Sequence, residues 1–477
     1  MQEVNTNPNS ALFADAHYVT EKAFIPLSAV KTEADKKKYA KKGYMPGYTY
    51  DEWPQKYPMI PRDKVYYING VNAETIYYDK RNVVYVPLRI FGTDLLYPWS
   101  PEKYVKDVCS VIKEQEQNSQ KKEYTRLLQA MPDGIKMDAM SHLLDLEGPT
   151  PLFYSTFMEQ YVAADFHCGN LPKRVINALE KSKSEAQKAT TMENVEKLFK
   201  GRDGVTVYRG AADGSTDYRQ AMSWTTNINV AFFFASWQGK NAVIHTGKLY
   251  KQDVLECVDA EENDEEEIIV IPGKVKRVTT LPLVDINSPD IKKNLGAIVE
   301  RYHFWRDESV QLYQKAGKCN GCHDVLHTLR VLFLCITIGL HENFTDNELN
   351  ELCIAAMYHD AARESDGIEC GHGKCSAQLY TETLSSNPAV EFAIEMHCAD
   401  DKNAAELLDD YVPEKERDKA WKILSVLKDA NALDRVRFGF AKAGEEDGLD
   451  VNQLRHDYSK RLVPLAKQLL YYLETTT

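Results

Sequence analysis

The hydrophobic period changes twice along this 477-residue chain, and this constrains the fold more than any other feature. Apolar residues recur at helical spacings over residues 119–203, follow strand patterns over 204–280, and return to helical spacing over 288–475. The chain is also too long for one ordinary hydrophobic core. The sequence therefore predicts an α+β multidomain protein in which a strand-rich region separates two helical ones.

The region before residue 119 carries short strand signals. Val65–Ile68, residues 75–78 and residues 83–86 are rich in valine, isoleucine and tyrosine, which suit strands. Asn69-Gly70 between the first two is a preferred hairpin turn. Because no catalytic motif can be assigned here, we predict an N-terminal extension of unknown role over residues 1–118.

Three short motifs follow one another in the strand-rich region. Arg209 ends an apolar strand, Ser223 and Thr225 open a second strand, and the acidic run 264–267 directly precedes the apolar residues 268–270. Ser223 and Thr225 share one face of their strand, since side chains two residues apart point the same way. The order and spacing of the three motifs favour one common site.

In this order the motifs resemble the Arg, Ser-x-Thr/Ser and Glu-x-Glu motifs of NAD-dependent mono-ADP-ribosyltransferases of the R-S-E class. The resemblance covers about residues 119–285. It implies a two-lobed transferase with a helical lobe over 119–203 and a β-sandwich catalytic core over 204–285. It also implies that NAD is a substrate and that a protein accepts the ADP-ribose.

The resemblance assigns a role to each motif. Arg209 would bind the pyrophosphate of NAD through its planar guanidinium, with the neighbouring Tyr208 and Gly210 also at the cofactor. Ser223 and Thr225 would order the NAD site. Glu265 and Glu267 are the two residues expected to carry the chemistry.

Glu267 would hold the ribose and stabilise the oxocarbenium ion that forms when the nicotinamide bond breaks. Glu265 would orient or deprotonate the acceptor nucleophile. The run Glu265-Glu266-Glu267 leaves the register open by one residue. Glu267 is preferred to Glu266 because it directly precedes the apolar strand.

Other elements of the core are predicted from local patterns. Residues 227–237 indicate a helix with an aromatic face, and residues 241–250 alternate as a half-buried strand does. Residues 267–271 and 274–280 are predicted to form a hairpin through the turn Pro272-Gly273.

The C-terminal helical region over residues 288–477 contains His327, and His359 followed directly by Asp360. With their neighbouring residues, these resemble the HD superfamily of phosphohydrolases and phosphodiesterases, which is all-α. The resemblance implies that the three side chains bind a divalent metal that activates water against a phosphate ester. Asn431 stands where the family has its last aspartate, so we expect weak metal binding unless Asp429 or Asp434 substitutes.

A second resemblance offers a metal-free route. The SidE-type phosphoribosyl-ubiquitinating effectors combine a transferase of this class with an HD-like phosphodiesterase, in the opposite domain order. Their phosphodiesterase relies on histidines and a glutamate, which implies His323 or His327, Glu364 and His397 here. This makes ubiquitin a candidate acceptor. The leading interpretation is a mono-ADP-ribosyltransferase whose HD domain acts on a phosphate ester. The alternatives are a SidE-like bifunctional enzyme and a transferase whose HD domain is a non-catalytic regulatory module.

Two thiol patterns offer weaker alternatives. Cys319-Asn-Gly-Cys322-His323 fits the attachment motif of a c-type haem. Together with Cys370 and Cys375, the same cysteines could form a zinc site, although no ribbon signature accompanies them. His323 is better explained by the HD resemblance.

Charge and composition exclude some classes of function. The formal net charge of −13 argues against nucleic-acid binding as the main activity. No apolar run reaches the ~18 residues of a membrane span, and the polar N-terminus lacks a Sec-type signal. The ten scattered cysteines favour a reducing cytosol. Together with the transferase resemblance, this suggests a bacterial effector or toxin delivered into a target cell by a non-Sec route.

Overall fold

The structure is a computed structural model of a mixed α/β protein, and its contacts divide the chain into two units, Met1–Thr190 and Thr191–Thr477. The residues that the structure describes are 24–42, 44, 46–56, 62–68, 76–78, 82–84, 86–90, 93–97, 121–129, 133–163, 171–237, 240–258, 265–315, 323–364, 371–441 and 448–474.

The first unit contains two small antiparallel sheets. One has the order β1-β2-β3-β4 and the other is the pair β5-β6. The strands are β1 (Phe24–Pro26), β2 (Val65–Ile68), β3 (Ile76–Tyr78), β4 (Asn82–Val84), β5 (Val86–Ile90) and β6 (Thr93–Tyr97). The strands expected in this region are therefore confirmed, whereas the predicted Asn69-Gly70 turn lies outside the described residues.

The helices of the first unit begin where side chains can satisfy free backbone amides. Thr32 and Asp35 form a capping box at the start of α1, and Thr150 caps α5. The helices are α1 (Glu33–Ala40), α2 (Trp53–Lys56), α3 (Tyr124–Gln129), α4 (Asp133–Glu147), α5 (Pro151–Val162), α6 (Lys173–Ser182) and α7 (Glu185–Phe199), which continues into the second unit. The helical character expected for 119–203 is confirmed.

A six-stranded antiparallel sheet forms the first part of the second unit, in the order β10-β11-β8-β7-β9-β12. Its strands are β7 (Gly204–Ala211), β8 (Ser223–Thr225), β9 (Val243–Tyr250), β10 (Val254–Cys257), β11 (Glu267–Val270) and β12 (Lys276–Pro282). The predicted hairpin between β11 and β12 is wrong. β11 pairs with β8 and β10 on its two sides, so β12 pairs with β9 at the opposite edge.

The helix α8 (Ile228–Trp237) packs directly on β7. Gly210 makes this close packing possible, because a Cβ atom there would overlap the carbonyl oxygen of Ala231. On the opposite side of the sheet, Val195 and Phe199 of α7 pack against Val205 and Val207. The sheet is therefore covered by helices on both faces, as its apolar strands require.

The rest of the second unit is helical, as predicted. Thr345 and Glu348 form the expected capping box of the helix that begins at Asp346. The helices are α9 (Pro289–Lys315), α10 (Val325–His341), α11 (Asp346–Tyr358), α12 (His372–Thr383), α13 (Pro388–Met396), α14 (Asp401–Tyr411), α15 (Arg417–Leu433), α16 (Asp457–Arg461) and α17 (Val463–Glu474).

The sheet region and the C-terminal helices share one hydrophobic core. Phe232 of α8 and Ile244 of β9 belong to the same buried cluster as Leu332 and Leu465 of the helical region. Val284, just after β12, also accepts a backbone hydrogen bond from Leu465, at 3.2 Å. These two regions therefore form one compact unit. Within the described ranges, no helix has both the length and the apolar character needed to cross a membrane.

Candidate functional site

The three transferase-like motifs lie on adjacent strands of the six-stranded sheet. Arg209 lies on β7, Ser223 and Thr225 lie on β8, and Glu267 is the first residue of β11. Thr225 is paired with Glu267 on one side and with Tyr208 on the other. The motifs are therefore neighbours in space although about 60 residues separate the first from the last.

The carboxyl group of Glu267 has a strongly raised pKa. Burial raises its pKa to about 7, a hydrogen bond with Ser223 opposes the rise, and the nearby Glu265 adds to it. Arg209 also lowers this pKa, so its positive charge lies close to the carboxyl group. A carboxyl group with a pKa near neutrality, next to a cation, is typical of catalytic sites.

Arg209 is held on the neighbouring strand by its side chain. Its Nη1 donates a hydrogen bond to the carbonyl oxygen of Ser223, at 3.0 Å. Arg209 is paired across strands with His245, whose pKa is lowered by burial and by the charge of Arg209. His245 contacts Thr280 Oγ1 through Nδ1 at 2.9 Å, and its ring packs at a tilt against that of Tyr218, with the ring centroids 4.8 Å apart. The guanidinium is thus fixed beside β8.

The residues next to Arg209 have packing roles. Tyr208 packs against the core shared with the C-terminal helices, and Gly210 allows α8 to approach. Their predicted contact with NAD stays a prediction. Thr225 donates from Oγ1 to the carbonyl oxygen of Glu265 at 2.8 Å, so it holds the acidic segment in place.

The two predicted catalytic glutamates are separated by a change of backbone direction. The described strand begins at Glu267, and Glu266 has φ of 47°, in the left-handed region. Glu265 and Glu267 therefore do not lie on one continuous strand face. They remain close, because Glu265 still raises the pKa of Glu267.

A second group of polar side chains lies among the C-terminal helices, around the buried Asp360. Asp324 caps α10 and so places His327 in its first turn, while His359 and His397 end α11 and α13. His372 begins α12 after Gly371. We call this group the histidine cluster; its members are His323, His327, His359, Asp360, His372 and His397.

The two oxygens of Asp360 face different histidines. Oδ2 lies 2.8 Å from His323 Nδ1, 3.5 Å from His327 Nε2 and 3.7 Å from His359 Nε2. Oδ1 lies 3.2 Å from His372 Nε2 and 3.4 Å from His397 Nε2. Two pairs of imidazole nitrogens also approach to 3.1 Å, in the pair His327–His359 and in the pair His372–His397.

Contacts on the outer side of the rings fix their orientation. His359 Nδ1 and His397 Nδ1 contact the backbone carbonyl oxygens of Ala356 and Ile394, at 2.8 and 2.7 Å. A carbonyl oxygen can only accept, so each Nδ1 carries the hydrogen and each Nε2 is an acceptor while the ring is neutral. Burial lowers the pKa of His359 to about 3, which keeps this ring neutral near pH 7.

Asp434 lies behind His327, on the outer side of the cluster. It contacts His327 Nδ1 at 2.7 Å and accepts hydrogen bonds from Arg330 and Arg437. Burial alone would raise the pKa of Asp434, but His327 and Arg330 lower it below its usual value. A carboxylate behind a histidine is the usual second layer of a metal site.

Neither aspartate considered as a substitute for Asn431 is available as a ligand. Asp429 accepts hydrogen bonds from the backbone amides of Arg455 and His456, and Asp434 is engaged as described above. In the described part of the chain, Asn431 makes no hydrogen bond to the histidine cluster. His372 and His397 bring two further imidazoles to Asp360.

Several predicted residues lie elsewhere. Glu364 is exposed, four residues after Asp360. Cys375 is also exposed, and the other three cysteines proposed for haem or zinc lie outside the described residues. His372 was not predicted as a site residue, although Gly371-His372-Gly373 before a helix was a visible signal. Gly373 is needed there, since a Cβ atom would overlap the carbonyl oxygen of Glu395.

The cluster fits divalent metal. Nitrogen ligands about 2.1 Å from one ion lie roughly 3.0–3.4 Å apart, close to the 3.1 Å found for both imidazole pairs. Burial opposes ionisation of Asp360, but the surrounding histidines hold its pKa well below its usual value, so the carboxylate is charged. Donors also cluster as His323, His327 and Asp360, and as His372, His397 and Cys398.

The second unit thus carries two candidate sites, one on the sheet and one among the helices. The first combines an arginine, a serine and a glutamate with a raised pKa. The second combines five imidazoles with one buried carboxylate. Comparison of the chain with known protein families, with curated proteins and with solved structures found no match.

Proposed function

We propose that this protein transfers ADP-ribose from NAD to a protein acceptor. The observation that carries the proposal is the environment of Glu267, which lies beside Ser223 and Arg209 at the start of β11 and has a pKa of about 7. A carboxylate there can stabilise positive charge on a ribose, while an arginine can bind the diphosphate of the same molecule.

The proposed reaction breaks the bond between nicotinamide and the ribose carbon C1″. Nicotinamide leaves with the bonding electrons, and the ionised Glu267 stabilises the resulting oxocarbenium ion. A nucleophile of the acceptor protein then bonds to C1″ and loses its proton to Glu265. Ser223 keeps Glu267 oriented through their hydrogen bond.

The direct test uses NAD labelled in its adenylate part. Incubation of the protein with labelled NAD and a eukaryotic cell lysate should transfer label to a protein band and release nicotinamide. Purified ubiquitin is the first single acceptor to examine, as the resemblance to SidE-type effectors suggests. The proposal would be refuted if no lysate showed either labelling of a protein or release of nicotinamide.

Replacing Glu265 by glutamine is expected to impair protein labelling more than NAD hydrolysis. The amide cannot accept the proton of the acceptor nucleophile, whereas water attacks the oxocarbenium ion without that help. Both rates should be measured on one preparation, with Glu196→Gln on the exposed face of α7 as the control. Equal losses in the two assays would contradict the separate roles of Glu265 and Glu267.

We propose hydrolysis of a phosphodiester as a second activity, at the histidine cluster. Its support is the convergence of acceptor nitrogens of His359 and His397 on one buried carboxylate. Acting on the ADP-ribosylated product, this activity would release AMP and leave a phosphoribosyl-linked protein. Release of AMP distinguishes this bifunctional enzyme from a transferase with a regulatory helical domain.

The chain's own residues supply proton transfer and orientation. Nε2 of His397 can accept a proton from an attacking water molecule, since its Nδ1 is already a donor to the backbone. His327, His359 and Asp360 would hold a divalent metal, with His372 and His397 on the other oxygen of Asp360. Such a metal would supply an activated water molecule and charge stabilisation at the phosphate.

We expect elemental analysis of untagged protein to find at least one tightly bound divalent ion per chain. The sequence predicts weak binding from three ligands, but five imidazoles face Asp360. His372→Ala should reduce the metal content, whereas His303→Ala, at an exposed position, should not. Metal-free protein that still releases AMP would instead favour the histidine–glutamate route through His327, Glu364 and His397.

A further inference from the structure

The middle residue of the acidic run differs from its two neighbours in both backbone and side chain. Glu266 has φ of 47°, which a residue with a Cβ atom adopts only when its surroundings stabilise it. The strand β11 begins at the next residue, Glu267. The conformation must therefore be held by contacts of Glu266 itself.

The side chain of Glu266 provides those contacts. Oε2 accepts a hydrogen bond from Thr226 Oγ1 at 2.9 Å, and Oε1 accepts one from Asn227 Nδ2 at 3.2 Å. Both carboxylate oxygens are thus bound to the residues that connect β8 to α8. Such a carboxylate holds structure, which distinguishes Glu266 from Glu265 and Glu267.

The residue before this pair contributes from the backbone side. Thr225 Oγ1 donates to the carbonyl oxygen of Glu265 at 2.8 Å and accepts from the amide of Asn227 at 3.0 Å. Glu265 and Glu266 are therefore held by hydrogen bonds to the consecutive residues Thr225, Thr226 and Asn227. We call these five residues the acidic clamp.

The clamp is itself anchored to the C-terminal region. Asn227 Oδ1 accepts from the amide of Asn229 at 3.0 Å, in the first turn of α8. The side chain of Asn229 then donates to Asp450 Oδ1 at 3.1 Å and accepts from the amide of Val451 at 2.9 Å. Asn229 is buried, so these hydrogen bonds are shielded from water and fix the start of α8.

We propose that Glu266 is the positioning residue of the transferase site, because its carboxylate fixes Glu265 and Glu267 relative to Arg209 and Ser223. The proposal rests on the proposed ADP-ribosyl transfer for its effect on activity. Its structural part, that the clamp immobilises the segment, does not depend on that function. The two parts can be tested separately.

The structural part is tested by hydrogen exchange of the backbone amides over residues 265–268. Glu266→Ala and Thr226→Val each remove hydrogen bonds of the clamp, and should speed exchange there about 10-fold or more. Thr226→Ser keeps the hydroxyl group and should exchange like the wild type. Glu196→Ala, which removes an ion pair with Lys251, should leave these amides unchanged. Unchanged exchange in Glu266→Ala would overturn the proposal.

The functional part is tested by steady-state NAD hydrolysis on the same variants. A displacement of catalytic groups by about 1 Å costs roughly 10²-fold in rate, so kcat should fall strongly in Glu266→Ala while KM for NAD changes little. Thr226→Val should lower kcat and Thr226→Ser should restore it. Faster exchange with unchanged kcat would overturn the positioning role.

Failure of the proposed function gives a different result. Wild-type protein that neither hydrolyses NAD nor labels any protein would refute ADP-ribosyl transfer, whatever the exchange data show. Faster exchange in Glu266→Ala would then still support the clamp as the device that fixes this segment. The two failures are therefore distinguishable.

Discussion

Replacing Glu267 by alanine will abolish both NAD hydrolysis and protein labelling. Removal of one preorganised electrostatic group costs about 10²–10³ in rate, and Glu267 is the only carboxyl group proposed to face the oxocarbenium ion. Glu267→Gln should be almost as inactive, because the amide keeps the shape and loses the charge. Both rates should be compared with those of Glu196→Ala on α7, which removes an ion pair with Lys251.

The pH dependence of the wild type gives an independent check. Burial raises the pKa of Glu267 to about 7, so NAD hydrolysis should increase as the pH rises through about 7 and the carboxyl group ionises. Because this pKa is raised from 4.5 to about 7, folding stability falls as the pH rises through this range, and the loss is complete above about pH 7. The difference in unfolding free energy between Glu267→Gln and the wild type should therefore favour the variant more at pH 8 than at pH 5. Near-wild-type activity in Glu267→Ala would refute the assignment of Glu267.

The second large effect is expected from Asp360→Asn. This change removes the buried negative charge that five histidines face, and breaking a buried charge arrangement typically costs about 3–5 kcal/mol. The phosphodiesterase step should also be lost. Thermal unfolding and AMP release measure the two effects. Asp457→Asn is the matched control, since Asp457 pairs with Lys460 at the surface and such pairs contribute less than about 1 kcal/mol.

The loss of stability in Asp360→Asn has a definite pH dependence. Because the pKa of Asp360 lies well below its usual value in the folded protein, its contribution is present above the unfolded pKa of about 3.8 and is lost as the pH falls further. The difference in unfolding free energy that comes from this carboxylate should thus shrink as the pH falls below about 3.8. Equal stability of wild type and variant at pH 7 would contradict the arrangement around Asp360.

The transferase-like site was largely predictable because its signals are local. Arg209 had to lie on a strand, and Glu267 had to begin one, from the apolar residues next to them. The pairing of the strands was not predictable in the same way. Pro272-Gly273 has the composition of a turn, and Gly273 indeed has φ of 76°. The partners of β11, however, are β8 and β10, and a local sequence pattern cannot indicate this pairing.

The histidine cluster was predictable only in part for a similar reason. His327, His359 and Asp360 were recognised by their motif, and His397 by the second resemblance. The neighbourhood of His372 and His397 depends on how closely α12 approaches α13, which Gly373 permits. The role of Asp434 depends on Arg330 and Arg437, which lie on either side of it in sequence. Apart from the local contact between Asp434 and Arg437, these contacts form only when the helices pack.

The core shared by the sheet and the C-terminal helices limits how such a chain can diversify. Phe232, Ile244 and Val284 are covered by residues of the helical region, so recombination that joined residues 204–285 to another partner would leave an apolar surface in water. Burying a large side chain contributes about 1.5–3 kcal/mol, which is a considerable part of a domain's stability. The two candidate sites are therefore expected to be inherited together, with substitutions on one side of this core compensated on the other.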